Sequence, residues 1–373
     1  MVRSGLGGEW SCLFANDFDH RKCESYRRNW GNDVLHAGDV RALSADDLPG
    51  LPNLVWASFP CQDLSLAGAG AGLKGERSGT FWPFLELMRG LVRSQRAPEI
   101  IALENVVGTL HSHSGKDFEA ICQGLHGLGY RFGAAVIDAS LFVPQSRPRL
   151  FVIAVRKGVS LPEKVIGAEP SPLWHSTALH RAYSRLPDTL RNQWIWWDLP
   201  APDFRESRFA DLVEDNPSSV AWHTRAETAQ LLSMMSPLNR EKVDSAKRLS
   251  KQFGCRMVGT VYKRTRVNQE GFKVQRAEVR FDDVAGCLRT PAGGSSRQLI
   301  LVVDGSKVRS RLISSRETAR LMGLPESYSL PKNYNEAYHL TGDGVAVPVV
   351  THIARHIFIP ILERQSQNEL STA

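Results

Sequence analysis

Short apolar runs alternate with amphipathic stretches from residue 11 to about residue 155. That alternation predicts βαβ units around a parallel sheet whose strands are covered on both faces. Ser11-Cys12-Leu13-Phe14-Ala15 reads as a strand, His20 to Asn29 as a helix and Leu54 to Phe59 as the next strand. After a Gly-rich loop, Phe84, Leu85, Met88, Leu91 and Val92 recur at helical spacing between Phe81 and Val92, with Pro83 tolerated in the first turn. A strand from Ile100 to Leu103, a helix from Lys116 to Leu128 closed by Gly129, and strands at Phe132 to Ile137 and Leu150 to Val155 complete the pattern.

Beyond about residue 158 the alternation fades. Prolines accumulate, together with Trp174, Trp194, Trp196, Trp197 and Trp222, and a basic segment follows. Regular character returns with Leu299 to Val303, a helix from Ser315 to Met322 ended at Gly323, and a last helix from about Pro348 to Leu362. The expected organisation is an α/β domain over 1–158, a less regular module over 159–285, and a segment over 286–373 that returns to the first domain.

Composition narrows the class. With 42% hydrophobic and 23% charged residues the chain has an ordinary globular balance. No apolar stretch approaches the roughly 20 residues that span a bilayer, and the N-terminus lacks a signal-peptide core. A soluble, cytoplasmic protein is expected, with no membrane partner and a monomeric state. Six scattered cysteines without a CxxC pair argue against a disulfide framework and a zinc ribbon, so reduced thiols are expected. The histidines His111, His113, His352 and His356 lack companions, and no metal is expected. Net charge is +7, and eight basic residues between Lys251 and Arg280 face only Glu270 and Glu278. On charge alone, that segment is equally a polyanion-binding surface or a solvated strand face.

Three segments at strand borders carry reactive groups. Pro60-Cys61-Gln62 follows the run ending at Phe59, Glu104-Asn105-Val106 follows Ile100 to Leu103, and Gln145-Ser146-Arg147-Pro148-Arg149 precedes Leu150 to Ile153. A thiol there is either an inert buried residue or a nucleophile, which acts only as thiolate. Glu104 alone reads as a helix-capping or ion-pair residue ahead of a catalytic one. Arg147 and Arg149, at alternate positions, point the same way and suit a clamp on a phosphate or carbonyl, or an exposed edge. The loop from Asp63 to Gly79 carries Gly68, Gly70, Gly72, Gly75 and Gly79, enough freedom to close over a substrate.

Together and in this order, the three segments resemble defining motifs of the cytosine-5 DNA methyltransferases. Asn16-Asp17-Phe18-Asp19 resembles that family's acidic cofactor segment, Gly38-Asp39-Val40 its adenine-contacting segment, and Arg77 to Phe81 its Arg-Gly-Thr stretch with one residue inserted. Ser315 to Pro325 and Gly342-Asp343-Gly344-Val345-Ala346-Val347-Pro348 resemble its last two motifs. The resemblance implies a Rossmann-like sheet that binds S-adenosylmethionine, a smaller and irregular target-recognition domain, and methylation of a flipped-out cytosine in duplex DNA. It assigns Cys61, Glu104, Arg147 and Arg149 to catalysis, and Asp17, Phe18, Asp39, Val40, Pro60, Phe81, Asp343 and Val345 to the cofactor. It further assigns Gln62, Ser65, Gln145, Lys263, Arg264 and Arg266 to DNA. It implies a bacterial or phage enzyme at the nucleoid, in a restriction-modification setting with a cognate endonuclease encoded nearby.

Two departures stand out. The family opens on a strand leading to Phe-x-Gly-x-Gly, whereas this chain begins with Met1-Val2-Arg3-Ser4-Gly5-Leu6-Gly7-Gly8. We therefore expect a start at an internal methionine, with weakened cofactor binding in the chain as written. Asp343 stands where the family usually has Asn. Transfer-RNA cytosine-5 methylation, or a DNA-binding remnant without activity, are the alternative readings.

Overall fold

The computed structural model describes residues 1–372 except 60–79, 206, 268–269 and 290–296, and side chains as far as residue 367. The described chain divides into a larger unit (Val2–Asp138, Pro148–Asp203, Pro348–Ala373) and a smaller one (Met1, Ala139–Arg147, Phe204–Val347).

In the larger unit, helix α1 (Val2–Leu6) precedes β1 (Ala15–Asp17), α2 (His20–Trp30) and β2 (Leu35–Ala37). β1 and β2 pair in parallel as a separate two-stranded sheet. Next come β3 (Leu54–Ala57), α3 (Phe81–Arg93), β4 (Ile100–Val106), α4 (Lys116–Gly127), β5 (Tyr130–Asp138) and β6 (Pro148–Arg156). These four strands form one sheet in the order β3-β4-β6-β5. Only β3 and β4 run parallel, while β6 is antiparallel to both β4 and β5. The all-parallel expectation is thereby corrected, for a physical reason. Residues 139–147 hold no crossover helix, and a connection that short returns the chain antiparallel.

The strongest apolar runs became the most buried strands. Ile100, Ile101, Ala102 and Leu103 are each 2% exposed or less, because helices cover both faces of β4. On one side α3 contributes Phe84, Leu85, Met88 and Leu91, whose i, i+1, i+4, i+7 spacing makes a single buried stripe. Gly124 lets α4 approach that stripe, since a Cβ there would sit 2.9 Å from the Leu85 side chain.

Past the expected boundary at 158, the chain stays in the larger unit to Asp203. Helices α5 (Thr177–Ser184) and α6 (Asp188–Arg191), with the turn between them, add Leu179, Ala182, Leu186 and Leu190 to its core. Trp174 and Trp197 are wholly buried there, so the tryptophan-rich composition reflects core filling. His175, 2% exposed, accepts the Ser171 N–H at Nδ1. Burial, reinforced by His180, lowers its pKa to about 4. Because the folded value lies below the unfolded one near 6.5, this stabilisation is complete above pH 6.5 and is lost as pH falls toward 4. We expect urea unfolding, followed by tryptophan fluorescence, to lose about 3 kcal/mol over that window, and His175→Asn to flatten most of the loss. An equal pH dependence in the variant would contradict this.

The smaller unit holds α7 (Phe209–Leu212), α8 (Arg225–Ser233), α9 (Pro237–Phe253), β7 (Met257–Val267), β8 (Lys273–Arg280), β9 (Leu299–Asp304), β10 (Lys307–Leu312), α10 (Ser315–Leu321) and α11 (Tyr334–Asp343). Its antiparallel sheet runs β10-β9-β7-β8. Val243 of α9 and Leu231 of α8 share a core with Val261, Ala277, Val279, Leu299 and Leu301. The segment expected to be irregular thus contains a long helix and a long hairpin.

The chain ends in the larger unit with α12 (Val347–Ile353), a π-helical turn at Ala354–Phe358 and α13 (Ile359–Thr372). The helical run Tyr334–Gln367 is long and apolar enough to cross a membrane by length and composition, which the sequence reading did not expect. More than half of its most apolar window is buried within the protein, as a core helix requires.

Candidate active site

Glu104 sits near the end of β4, 6% exposed. In the antiparallel register Arg149 pairs with Val106 and Phe151 with Glu104, so Glu104 and Arg149 are diagonal neighbours on one face. The Arg149 Nε lies 3.1 Å from Glu104 Oε1, with both side chains largely buried. Arg149 also donates through Nη1 to its neighbour's carbonyl at Pro148, 2.9 Å away.

Asn105, next to Glu104, acts as a strut. Its Nδ2 donates to the Phe59 carbonyl at 3.4 Å, while its Oδ1 accepts the Val106 N–H. Phe59 in turn packs against Phe81, ring centroids 5.4 Å apart. In sequence, the segment 60–79 falls between these two residues. Pro60, Cys61, Gln62 and Ser65 lie within that segment, outside the described residues. Phe81, expected at the cofactor, is wholly buried in the core instead. An aromatic residue opening an amphipathic helix is core material first.

Asp17 and Asp39 stand at the carboxyl ends of the parallel strands β1 and β2, the usual place for ligand-holding groups in α/β sheets. Asn16 ties these ends together, donating from Nδ2 to the carbonyls of His36 and Gly38 at 3.0 and 2.9 Å. Asp17 Oδ1 accepts the Asp19 N–H, and the ring of Phe18 is 69% exposed. An acidic side chain beside an open aromatic face suits a nucleoside, with hydroxyls on the acid and the base on the ring. Asp39 is differently engaged. Its carboxylate takes three hydrogen bonds from the Arg41 guanidinium, and chiefly these hold its pKa below the ordinary carboxylate range. Arg41 must swing away before Asp39 can accept from an adenine amino group. Val40 packs against the core of the larger unit.

The remaining expected residues belong to the smaller unit. Arg147 does not share a target with Arg149. It is 2% exposed, and its Nη2 donates to the carbonyls of Gly342 and Gly344 at 2.8 and 2.5 Å, and its Nη1 to that of Leu288. It grips the turn around Asp343 and so serves as a positioning residue. Asp343 is exposed, whereas Val345 is buried. Gln145, expected at DNA, is wholly buried and saturated. Its Nε2 donates to the Leu321 carbonyl at 2.7 Å and its Oε1 accepts the Leu288 N–H. Both placements share a cause, because polar side chains just before a strand can satisfy buried backbone as readily as ligand. Arg264 and Arg266 both face Glu278, and the strand alternation puts Lys263 on the opposite face of β7.

The residues that sequence reasoning missed are Arg41, which occupies Asp39, and Asn105 as a strut between strands. A basic residue two positions after an acidic strand end was the available signal for the first.

The chain is similar to known proteins along nearly its whole length. The family model for C-5 cytosine-specific DNA methylase matches residues 3–359. The type II methyltransferase M.DsaV of Dactylococcopsis salina is 24% identical over 365 residues, covering 97% of this chain and 84% of that protein. M.HhaI of Haemophilus parahaemolyticus is 23% identical over 347 residues, covering 93% and 87%. Among solved structures, Entamoeba histolytica EhMeth aligns with a TM-score of 0.59 at 13% identity, covering 96% and 94%. S. pombe Dnmt2 aligns at 0.54 and 18%, covering 94% and 91%. At those identities the structural likeness speaks for fold alone.

Proposed function

The chain belongs to the C-5 cytosine-specific DNA methylase family, and from that premise we propose that it methylates carbon 5 of a flipped-out cytosine in duplex DNA through a covalent adduct on Cys61. The observation that supports this best is the buried Glu104, paired with Arg149 and adjacent to Asn105, which holds the carbonyl two residues before Cys61.

S-adenosylmethionine, when bound, supplies an electrophilic methyl group on sulfonium. Cys61 adds as thiolate to carbon 6, forming a carbon–sulfur bond and leaving carbon 5 electron-rich. Glu104, as the acid, donates a hydrogen bond to ring nitrogen 3, where negative charge develops on attack. Arg149 turns donors toward the base carbonyl, and its contact with Glu104 keeps both groups oriented to one ring. Carbon 5 takes the methyl group. Loss of the carbon 5 proton to solvent then restores the ring and expels Cys61. Asp17 accepts from the ribose hydroxyls and Phe18 stacks on adenine, with Asp39 recruited once Arg41 has moved. The smaller unit's sheet carries target recognition. Restriction-modification is the setting that the relatives' names support.

Transfer of labelled methyl groups tests this reading directly. Duplex DNA should be labelled and transfer RNA should not. Glu104→Gln should lower kcat about 100-fold while duplex binding is retained. Labelling of transfer RNA in preference to DNA, or an unaffected Glu104→Gln enzyme, would overturn it.

A further inference from the structure

The hairpin of β7 and β8 separates its side chains by chemistry. Val261 and Val279 are cross-strand partners, and with Ala277 they are buried against α8 and α9. The alternate face carries Arg280, Tyr262 with Glu278, Arg264 with Arg276, and Arg266 with Val274, reading the register outward. One face is therefore apolar at its root. The other presents four guanidiniums, of which Arg280 is paired with Asp282, while Arg264, Arg266 and Arg276 share the face with one carboxylate, Glu278.

Three observations distinguish this face from an ordinary solvated strand. Arg264 and Arg276 are directly opposed, an arrangement of like charges that opposes strand pairing unless an anion bridges it. Among the described residues no carboxylate pairs with Arg276. Glu278 is shared by Arg264 at 3.3 Å and Arg266 at 2.6 Å, one carboxylate standing where two cations need partners. Arg264 and Arg266 nevertheless remain about half exposed, at 50% and 52%.

The backbone beneath is held in place. β8 is an edge strand, and α9 satisfies its outer edge: Asn239 Oδ1 accepts the Val279 N–H at 2.9 Å and Lys242 Nζ donates to the Val279 carbonyl at 3.3 Å. Beside this edge opens a cavity of about 220 Å³ lined by Asn239, Lys242, Tyr262, Arg264, Glu278 and Arg280. Lys242, Arg264 and Arg280 thus converge on one concavity. Fork-shaped donors at fixed spacing on a rigid ribbon match successive phosphodiesters, which offer acceptors and charge without sequence information.

We propose that this arginine face is the backbone clamp of the protein: Arg264, Arg266 and Arg276, with Lys242, hold the phosphates of a duplex, and Glu278 is the internal anion that Arg264 and Arg266 release on binding. The proposal rests on the reading of duplex DNA as substrate, and assigns these residues to positioning and not to base readout. It separates them from Lys263, on the other face.

The test is the affinity of the full chain for fluorescent duplexes of several unrelated sequences, measured between about 50 and 200 mM salt. Each phosphate contact contributes close to one to the slope of log affinity against log salt. The double variant Arg264→Gln, Arg276→Gln should reduce that slope by about two and weaken all sequences alike. Glu278→Gln should tighten binding several-fold at low salt. Arg248→Gln, a paired surface arginine on α9, is the control and should change neither. An unchanged slope in the double variant, or a loss confined to particular base pairs, would overturn the clamp. Binding is read without turnover. An enzyme that methylates DNA yet keeps its slope in the double variant defeats the clamp alone, and one that binds with the expected slopes but transfers no methyl group defeats the catalytic reading alone.

Discussion

Cys61→Ala is expected to abolish methyl transfer, by at least about 10⁴-fold, and with it any covalent complex on duplex DNA containing 5-fluorocytosine. The loss is this large because carbon 5 of cytosine is not nucleophilic until a thiolate has added at carbon 6, and no other step substitutes for that addition. Three of the remaining cysteines are poor replacements. Cys122 is fully buried and burial pushes its thiol far above the ordinary range, while Cys23 is buried and raised for the same reason. Cys287 donates to the Leu288 carbonyl 3.5 Å away and lies 3.5 Å from the Arg147 guanidinium, committed to the smaller unit's interior contacts. Fluorine at carbon 5 cannot leave as a proton does, so the wild-type adduct should survive denaturing electrophoresis. A retained adduct in Cys61→Ala, or turnover within tenfold of wild type, would remove Cys61 from the mechanism.

What could be read from the sequence follows the strength of each local signal. Strands covered on both faces, such as β4, announce themselves as unbroken apolar runs, and α3 shows its buried stripe as a 3.6-residue period. β1 was misplaced by several residues, because the run Cys12 to Ala15 is apolar but pairing begins only at Ala15. β7 and β8 escaped for the opposite reason. Beyond Tyr262 polar or charged residues predominate on both faces of the hairpin, so the two-residue alternation that marks a strand is lost in a run of basic residues. Charge count found the segment, and only register revealed that four arginines share a face.

The site shows the same division. Motif residues named Glu104 and Arg149, yet their contact depends on antiparallel pairing between β4 and β6, a consequence of the short connection over 139–147. Gln145 and Arg147 have the composition of ligand-binding groups and are consumed by buried carbonyls and amides. Phe81 illustrates the bias in reverse, since a position picked out by its motif is also a wholly buried core residue packed on Phe59. The split between the β1–β2 pair and the four-stranded sheet has no local signature, because pairing partners far apart in sequence decide it.

Glu317→Ala is expected to destabilise the smaller unit by about 3–5 kcal/mol, the range found when one partner of a buried ion pair is removed. Arg311 and Glu317 have wholly buried side chains and meet in a two-pronged pair, with Arg311 Nη1 and Nη2 at 2.8 and 2.5 Å from the two carboxylate oxygens. The carboxylate also accepts the N–H groups of Ser314 and Glu214, both at 2.7 Å, and Arg311 donates to the Glu214 carbonyl at 2.6 Å. Alanine would leave a guanidinium in the interior and two amides without acceptors. Glu317→Gln keeps an acceptor for one amide and should cost clearly less. Arg311→Met combined with Glu317→Gln removes the stranded charge and should recover part of the alanine loss, a non-additivity that a double-mutant cycle would report. Hydrogen exchange gives the local readout, with faster exchange of amides between Glu214 and His223, because His223 N–H also docks on the Ser310 carbonyl of β10. β10 supports β9, and β9 supports β7, so the same opening should loosen the arginine face and weaken DNA binding without altering its salt slope. An alanine variant that unfolds within 1 kcal/mol of wild type would show that the pair contributes no net stability. Loosening without any effect on DNA affinity would instead show that the hairpin's hold on its sheet is independent of this network.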